Sequence, residues 1–345
     1  MRLSLVLVLL LPSLAGAQTE EAIRAVERKL EIARTAKWVL EQEAPTGGFY
    51  LAPQDPKLDA KPQPMLRATS GAVRALKYLG QPLLPKEREK HAKFVLSCYD
   101  PKTGAFAEPG GKPDVAITSV GVMAAMELGI PKEKFAKAMD YLKANAKTFE
   151  EVRIAAAAVE AWGVKDCPFK LDDWFAVARK HIAPLISLDD LLNAGEEKTT
   201  AAARDGLARE VGSVAAFHLR LRKPVFGSPD LVTGPKPNPP IPGFILIRID
   251  DEKVAGVLLE LGQRDDGGWG KKGEKASDIE TTYRVMRALM LGKGKPKETE
   301  KLRAFVAKHR NEDNGWAVKP GDKSSMSGAY YCAIVLHWLD EMEKK

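Results

Sequence analysis

What this sequence lacks narrows it first. Its 345 residues include three cysteines, Cys98, Cys167 and Cys332, an odd number with no C-x-x-C pair. Spacing therefore encodes neither a disulfide scaffold nor a cysteine zinc site, and at most one bridge fits. Five histidines (His91, His181, His218, His309 and His337) form no H-x3-H or H-E-x-x-H group; a lone histidine on an inner helix face reads as a core or rim residue. The G-x-S-x-G elbow, the P-loop and the dinucleotide fingerprint are all missing, so serine-hydrolase, NTP-dependent and nicotinamide chemistries lack their parts. Beyond the N-terminus no stretch approaches about 18 consecutive apolar residues, which excludes a membrane span there. Charge of one sign is never concentrated: the net +7 comes from Lys and Arg interleaved with acids, as in "EEAIRAVERKLEIAR" and "PKEREKHAK". Such mixing describes solvated helix faces and no nucleic-acid partner.

What is present begins with "MRLSLVLVLLLPSLAGA", where Arg2 precedes an apolar run from Leu3 to Leu11 and the small residues Ala15, Gly16 and Ala17. This pattern predicts a secretory signal over 1–17, cleaved after Ala17, and hence a secreted or periplasmic mature chain; an uncleaved anchor is the alternative. The remainder, 18–345, is long enough for one large domain with a single core.

Apolar residues recur at three- and four-residue spacing almost throughout, which predicts an all-α chain of six helical hairpins. The pairs are 21–43 with 69–79, 85–98 with 118–128, 131–146 with 152–162, 171–182 with 201–221, 251–261 with 281–291, and 296–309 with 327–340. Three second members share a twelve-residue frame: "TSGAVRALKYLG" (69–80), "TSVGVMAAMELG" (118–129) and "TTYRVMRALMLG" (281–292). Thr in first place suits a helix N-cap and Gly in last place suits a left-handed C-terminal stop. "VRIAAAAVEAWG" (152–163) keeps the length without the Thr. A glycine-aromatic turn recurs before the second helices, at Gly48-Phe49, Gly104-Ala105-Phe106, Gly268-Trp269 and Gly315-Trp316. Recurrence in four hairpins identifies these aromatics as packing pegs, and Asp265-Asp266 reads as a pair of turn formers. Second helices rich in small residues and first helices rich in Lys and Glu predict a closed double-layered α6/α6 ring, an α/α toroid, with an open solenoid as the competitor. The segment 224–244, with seven prolines, is a surface crossing or a lid.

"QRDDGGWGKKGEKASDIETTYRVMRALMLG" resembles the repeat of the prenyltransferase and squalene-hopene cyclase family. Gln263, Gly267 and Trp269 match the cyclases' Q-x3-G-x-W pattern, and Asp278-Ile279-Glu280-Thr281-Thr282 falls where they carry D-x-D-D-T. The resemblance implies the toroid fold. It also implies that Glu280, at the place of the cyclases' protonating aspartate, together with Asp278, would be the catalytic acid groups. Glu280 has no counterpart in the frames above, where Ala68 and Ile117 stand. For the zinc of the protein prenyltransferases, Asp278 matches the first ligand, but Glu280 replaces the cysteine and Gly328 the histidine, which implies no zinc and no cysteine prenylation. A complement-type thioester toroid is disfavoured because no cysteine sits in a Gly-Cys-Gly-Glu-Gln element.

Two function classes follow. One is a toroid that binds or transforms an apolar, isoprenoid-like ligand in its central cavity, which Tyr283, Tyr330 and Tyr331 line or fill. The other is a non-catalytic scaffold recognising an extracytoplasmic protein, a lipid or a polysaccharide. A polysaccharide-degrading α/α barrel ranks third and needs Arg, His and Tyr to converge in one cleft. No cofactor is expected in any of them.

Overall fold

A computed structural model of the chain describes residues 16–54, 62–182, 201–221 and 262–344. The eleven α-helices among them are α1 (Gly16–Glu41), α2 (Leu66–Tyr78), α3 (Pro85–Ser97), α4 (Val115–Glu127), α5 (Lys137–Asn145), α6 (Phe149–Trp162), α7 (Asp172–Ile182), α8 (Ala201–Arg220), α9 (Ile279–Leu291), α10 (Thr299–Ala307) and α11 (Met326–Glu343). The predicted fifth outer helix (251–261), the proline-rich 224–244 and most of the predicted leader lie outside the described residues.

The inner helices form a closed circuit. α2 packs on α4, α4 on α6, α6 on α8, α8 on α9, α9 on α11, and α11 returns to α2. The outer helices cover the seams: α1 lies on α2 and α11, α3 on α4, α5 on α4, α7 on α6 and α8, and α10 on α11. The order is that of an all-α toroid, and the circuit excludes an open solenoid.

One local rule builds the ring. In each well-kept hairpin the backbone N–H of the turn's aromatic donates to a threonine hydroxyl in the first turn of the inner helix: Phe49 to Thr69 (3.0 Å), Phe106 to Thr118 (3.2 Å) and Trp269 to Thr282 (3.0 Å). The three aromatics are fully buried, as is Trp316. Each turn also slides beneath the outer helix of the next hairpin. At Gly267, where φ is +90°, a β-carbon would lie 2.2 Å from the Lys301 carbonyl carbon of α10. Gln263 secures the same junction. Its amide donates to the carbonyls of Gly267 (2.7 Å) and Glu298 (3.2 Å), and its oxygen accepts from the Glu298 N–H (2.9 Å). Asp266 folds the turn by accepting from Gly268 N–H (3.0 Å) and Ser277 hydroxyl (2.7 Å), while Asp265 is exposed. Asp313 does the same with Gly315 (2.9 Å) and Ser324 (2.7 Å).

Two details differ from the sequence frame. The threonines are not N-caps. Met65, Asp114, Thr148, Asp278 and Ser325 stand at the caps, each four residues before the frame's true start, so the inner helices begin earlier than their apolar pattern. In the fifth hairpin the frame is also shifted by one, and Thr282 rather than Thr281 is the counterpart of Thr69 and Thr118. The helix ends agree: Gly80 and Gly129 are left-handed (φ +68° and +74°), and their place is taken by Lys293 (φ +57°), not Gly292. The following N–H bonds back five residues each time, Gln81 to Leu76, Ile130 to Ala125 and Gly294 to Leu289 (2.9, 2.9 and 2.8 Å). A side chain in that conformation costs about 1–2 kcal/mol, part of which glycine returns as unfolded-state entropy. Lys293→Gly is therefore expected to stabilise the protein by about 0.5–1 kcal/mol, measured by urea unfolding; a loss would show that the lysine makes a compensating contact.

The three cysteines are free thiols, so the one bridge that counting allowed is not made. Burial pushes Cys98 up to about 11 and Cys332 far above the ordinary thiol range, which leaves both unreactive at neutral pH.

Candidate functional site on the ring axis

Asp278 and Glu280 both sit at the N-terminal end of α9, where the sequence placed them, but they are engaged in different work. Asp278 Oδ1 accepts from Thr281 N–H at 2.8 Å and caps the helix, as Asp114 does for α4 through Ile117 N–H at 2.6 Å. With the frame shifted, the counterparts of Glu280 are Arg67 and Ala116 rather than Ala68 and Ile117, and the acid remains unmatched. Its Oε1 lies 2.6 Å from Arg284 and 3.6 Å from Arg209. Burial acts to raise this carboxyl, but the two guanidiniums outweigh it and hold the group below the usual carboxylate range. Arg284 continues to Glu150 on α6 with two bonds (2.9 and 3.2 Å), and Arg153 pairs with the same carboxylate at 2.8 Å. Burial opposes ionisation of Glu150, yet Arg153 and Arg284 pull it down to about 2. The result is a belt of alternating charges across the N-terminal ends of α6 and α9 and the middle of α8.

A second cluster lies further along the same helices. Arg287 of α9 donates to Glu160 of α6 (2.7 Å) and to the Tyr78 hydroxyl of α2 (3.3 Å). Neither α6 nor α2 is a ring neighbour of α9, so these contacts are chords across the interior and place the guanidinium on the axis. Arg220, at the end of α8, reaches the same Glu160 oxygen at 3.4 Å. Arg74 of α2 lies 5.2 Å over the Tyr330 ring and 3.3 Å from Met123 sulfur; among the described residues no carboxylate pairs with it. Tyr283 and Tyr330 hydroxyls are 3.2 Å apart, and Tyr283 stacks on Trp338 at 5.5 Å. Arg220 and Arg287 are over nine-tenths buried; the Nε of Arg287 finds no hydrogen-bond acceptor, and that of Arg220 meets Glu160 only as an ion pair, without a hydrogen bond. Arg74, Tyr78, Tyr283 and Tyr330 keep part of their surface open to solvent. Among the described residues three guanidiniums thus converge with one carboxylate, a composition suited to an anion.

The tyrosines were anticipated from the sequence; the arginines and Glu160 were not. A signal existed: "VRALKYLG" and "VMRALMLG" place Arg74 and Arg287 at the same point, five residues after Thr69 and Thr282, on faces otherwise apolar. Repetition of a charge at an inward position is worth more than the isolated acid that drew attention.

The three positions compared with the zinc ligands of the protein prenyltransferases do not fit that metal. Asp278 caps α9 through Oδ1 and leaves Oδ2 without a partner, but Glu280 is bound by arginines, and a β-carbon on Gly328 would lie 2.2 Å from the Trp316 carbonyl oxygen, so no side chain fits there. Among the described residues no three His, Cys, Asp or Glu side chains form a metal-binding group, and no helix is long and apolar enough to cross a membrane.

No curated protein matches the chain. The family model for the prenyltransferase alpha-alpha toroid domain matches residues 13–163 and 243–344. The match covers most of the chain on both sides of the fourth hairpin, and it agrees with the closed circuit of inner helices, the buried glycine-aromatic turns and their threonine anchors: the chain belongs to the prenyltransferase alpha-alpha toroid family.

Proposed function

We propose that this toroid is an extracytoplasmic binding protein that holds an anionic, isoprenoid-like amphiphile on its axis. The supporting observation is the excess of cation there: Arg220 and Arg287 share a single carboxylate, Glu160, and Arg74 beside them pairs with none among the described residues. An anionic head would supply the missing acceptors, and the Tyr283–Trp338 stack with Met123 offers an apolar wall for a chain. Extracytoplasmic placement rests on the leader composition around Arg2 and Leu3–Leu11. Binding is preferred to polyene protonation because Glu280, ion-paired with Arg284 and Arg209, has no proton to give, and Asp278 serves its helix.

The test is calorimetric titration with farnesyl diphosphate, inorganic diphosphate and farnesol. The first two should bind and farnesol should not, and Arg74→Gln, which removes the arginine lacking a carboxylate partner, should weaken binding at least about tenfold. Binding of farnesol alone, or diphosphate affinity unchanged in Arg74→Gln, would refute the axial anion site and favour an apolar or surface-binding scaffold.

A further inference from the structure

The anion site just described, on which this inference rests, has an internal problem. Counted over the described residues, the ligand-free axis holds three guanidiniums against one carboxylate in a space largely withdrawn from water, an imbalance that costs free energy. The charged and titratable groups around Tyr283 come from every inner helix that reaches it. α2 brings Arg74 and Tyr78, α6 brings Glu160, α8 brings Arg220, α9 itself carries Arg284 and Arg287, and α11 supplies Tyr330 and Tyr331. Arg284 is neutralised by Glu150 and Glu280, and the Lys77–Glu127 pair between α2 and α4 (2.8 Å) cancels itself. No free carboxylate among the described residues is left to balance the axis. What remains is the Tyr283 hydroxyl, 3.2 Å from that of Tyr330, which can donate into a phenolate.

We propose that Tyr283 is a removable counter-ion: its phenolate balances the arginines in the empty ring, and an incoming anion displaces that charge, so that ligand and proton are taken up together. In the balance, phenolate, one proton from solvent and the anion give phenol and the bound anion; no other bond changes. The electrostatics agree in direction. Burial alone would raise the Tyr283 hydroxyl, but Arg287, Arg220 and Arg74 overcome it and bring it down to about 7, while Tyr330, the donor to that phenolate, is pushed well above its ordinary value. The sign follows: a bound anion opposes the phenolate and raises its pKa, so uptake is absent below the free-site value and appears above it.

Inorganic sulfate is the suitable probe, since it does not itself titrate near neutrality. At about pH 6 it should bind without proton uptake; at about pH 8 it should bind with uptake approaching about one proton, seen in calorimetry with buffers of different ionisation enthalpy. Affinity should fall toward about tenfold per pH unit above the Tyr283 value. The tyrosinate ultraviolet band of the empty protein should disappear on adding sulfate. Tyr283→Phe should bind at about pH 8 as the unaltered protein does at about pH 6, with neither uptake nor band; Tyr330→Phe should keep the uptake and move it to higher pH. Sulfate bound equally at both pH values without uptake would overturn the counter-ion while leaving the anion site intact. Failure of sulfate to bind even at about pH 6 would overturn the anion site and this inference with it.

Discussion

Glu160→Gln is expected to destabilise the folded protein by about 3 kcal/mol, seen as a lower urea midpoint at unchanged slope. Among the described residues Glu160 is the only carboxylate within ion-pair distance of Arg287 (2.7 Å) and Arg220 (3.4 Å). Removing its charge strands both guanidiniums in the interior, and breaking a buried pair in this way costs about 3–5 kcal/mol. The low end applies because the Glu160 side chain retains 32% of its exposure, so water screens part of the interaction. Glu150→Gln provides the contrast. That carboxylate also meets an inward arginine, but it is 54% exposed and Arg284 keeps Glu280, so the loss should stay below about 1 kcal/mol. Sulfate should also stabilise Glu160→Gln more than the unaltered protein, because the variant's axis lacks its own anion and the gain grows with ligand over Kd. Equal losses in the two variants, or equal sulfate stabilisation, would mean that the axis carries no special excess of charge.

How much of this was legible follows from what each signal measures. The toroid's helical hairpins among the described residues, the buried Phe49, Phe106, Trp269 and Trp316, and the turn role of Asp266 were readable because each recurs, and recurrence separates architecture from chance. The threonines were seen but given the wrong task. Thr is a plausible N-cap by propensity, whereas here a cap residue four positions earlier starts the helix and the hydroxyl is spent on the preceding turn. The one-residue shift in the fifth hairpin was hidden by Thr281-Thr282 and by Gly292 beside Lys293, where either neighbour satisfies a pattern but only backbone geometry decides. Arg74, Arg220, Arg287 and Glu160 escaped for a deeper reason. They lie on four helices far apart in sequence, and their meeting depends on ring closure, which places chords between elements that are not neighbours in the chain or in the ring. Glu280 drew attention because it is unusual in its repeat; its ion pair with Arg284, four residues on along the same helix, is a local arrangement that spacing permits but does not announce.

Trp316→Ala is the second large effect, expected at about 3–5 kcal/mol for loss of a fully buried tryptophan. Trp269→Ala, at the equivalent place in the preceding hairpin, should cost a similar amount, so global stability alone cannot distinguish them. The location of the damage can. The Trp269 turn lies under α10, where Gly268 closes on Phe305, with a β-carbon there 3.1 Å from its ring. The Trp316 turn lies under α1 instead: its indole N–H donates to Thr35 (3.1 Å), Trp38 donates to Asp313 (3.1 Å), and a β-carbon on Gly315 would stand 2.4 Å from the Trp38 indole. Trp316 therefore seals the sixth hairpin to the first, the only junction that a ring has and a solenoid lacks. Hydrogen exchange should accelerate across α1 in Trp316→Ala and across α10 in Trp269→Ala. The two lesions should also differ in reach. Opening the seam frees α1 from α11 as well as from its turn, and since α11 also packs on α2, protection should fall on both sides of the break. Loss confined to the C-terminal helices in Trp316→Ala, with α1 still protected, would mean that the circuit is held by the inner helices alone and that the glycine-aromatic turn only decorates the seam.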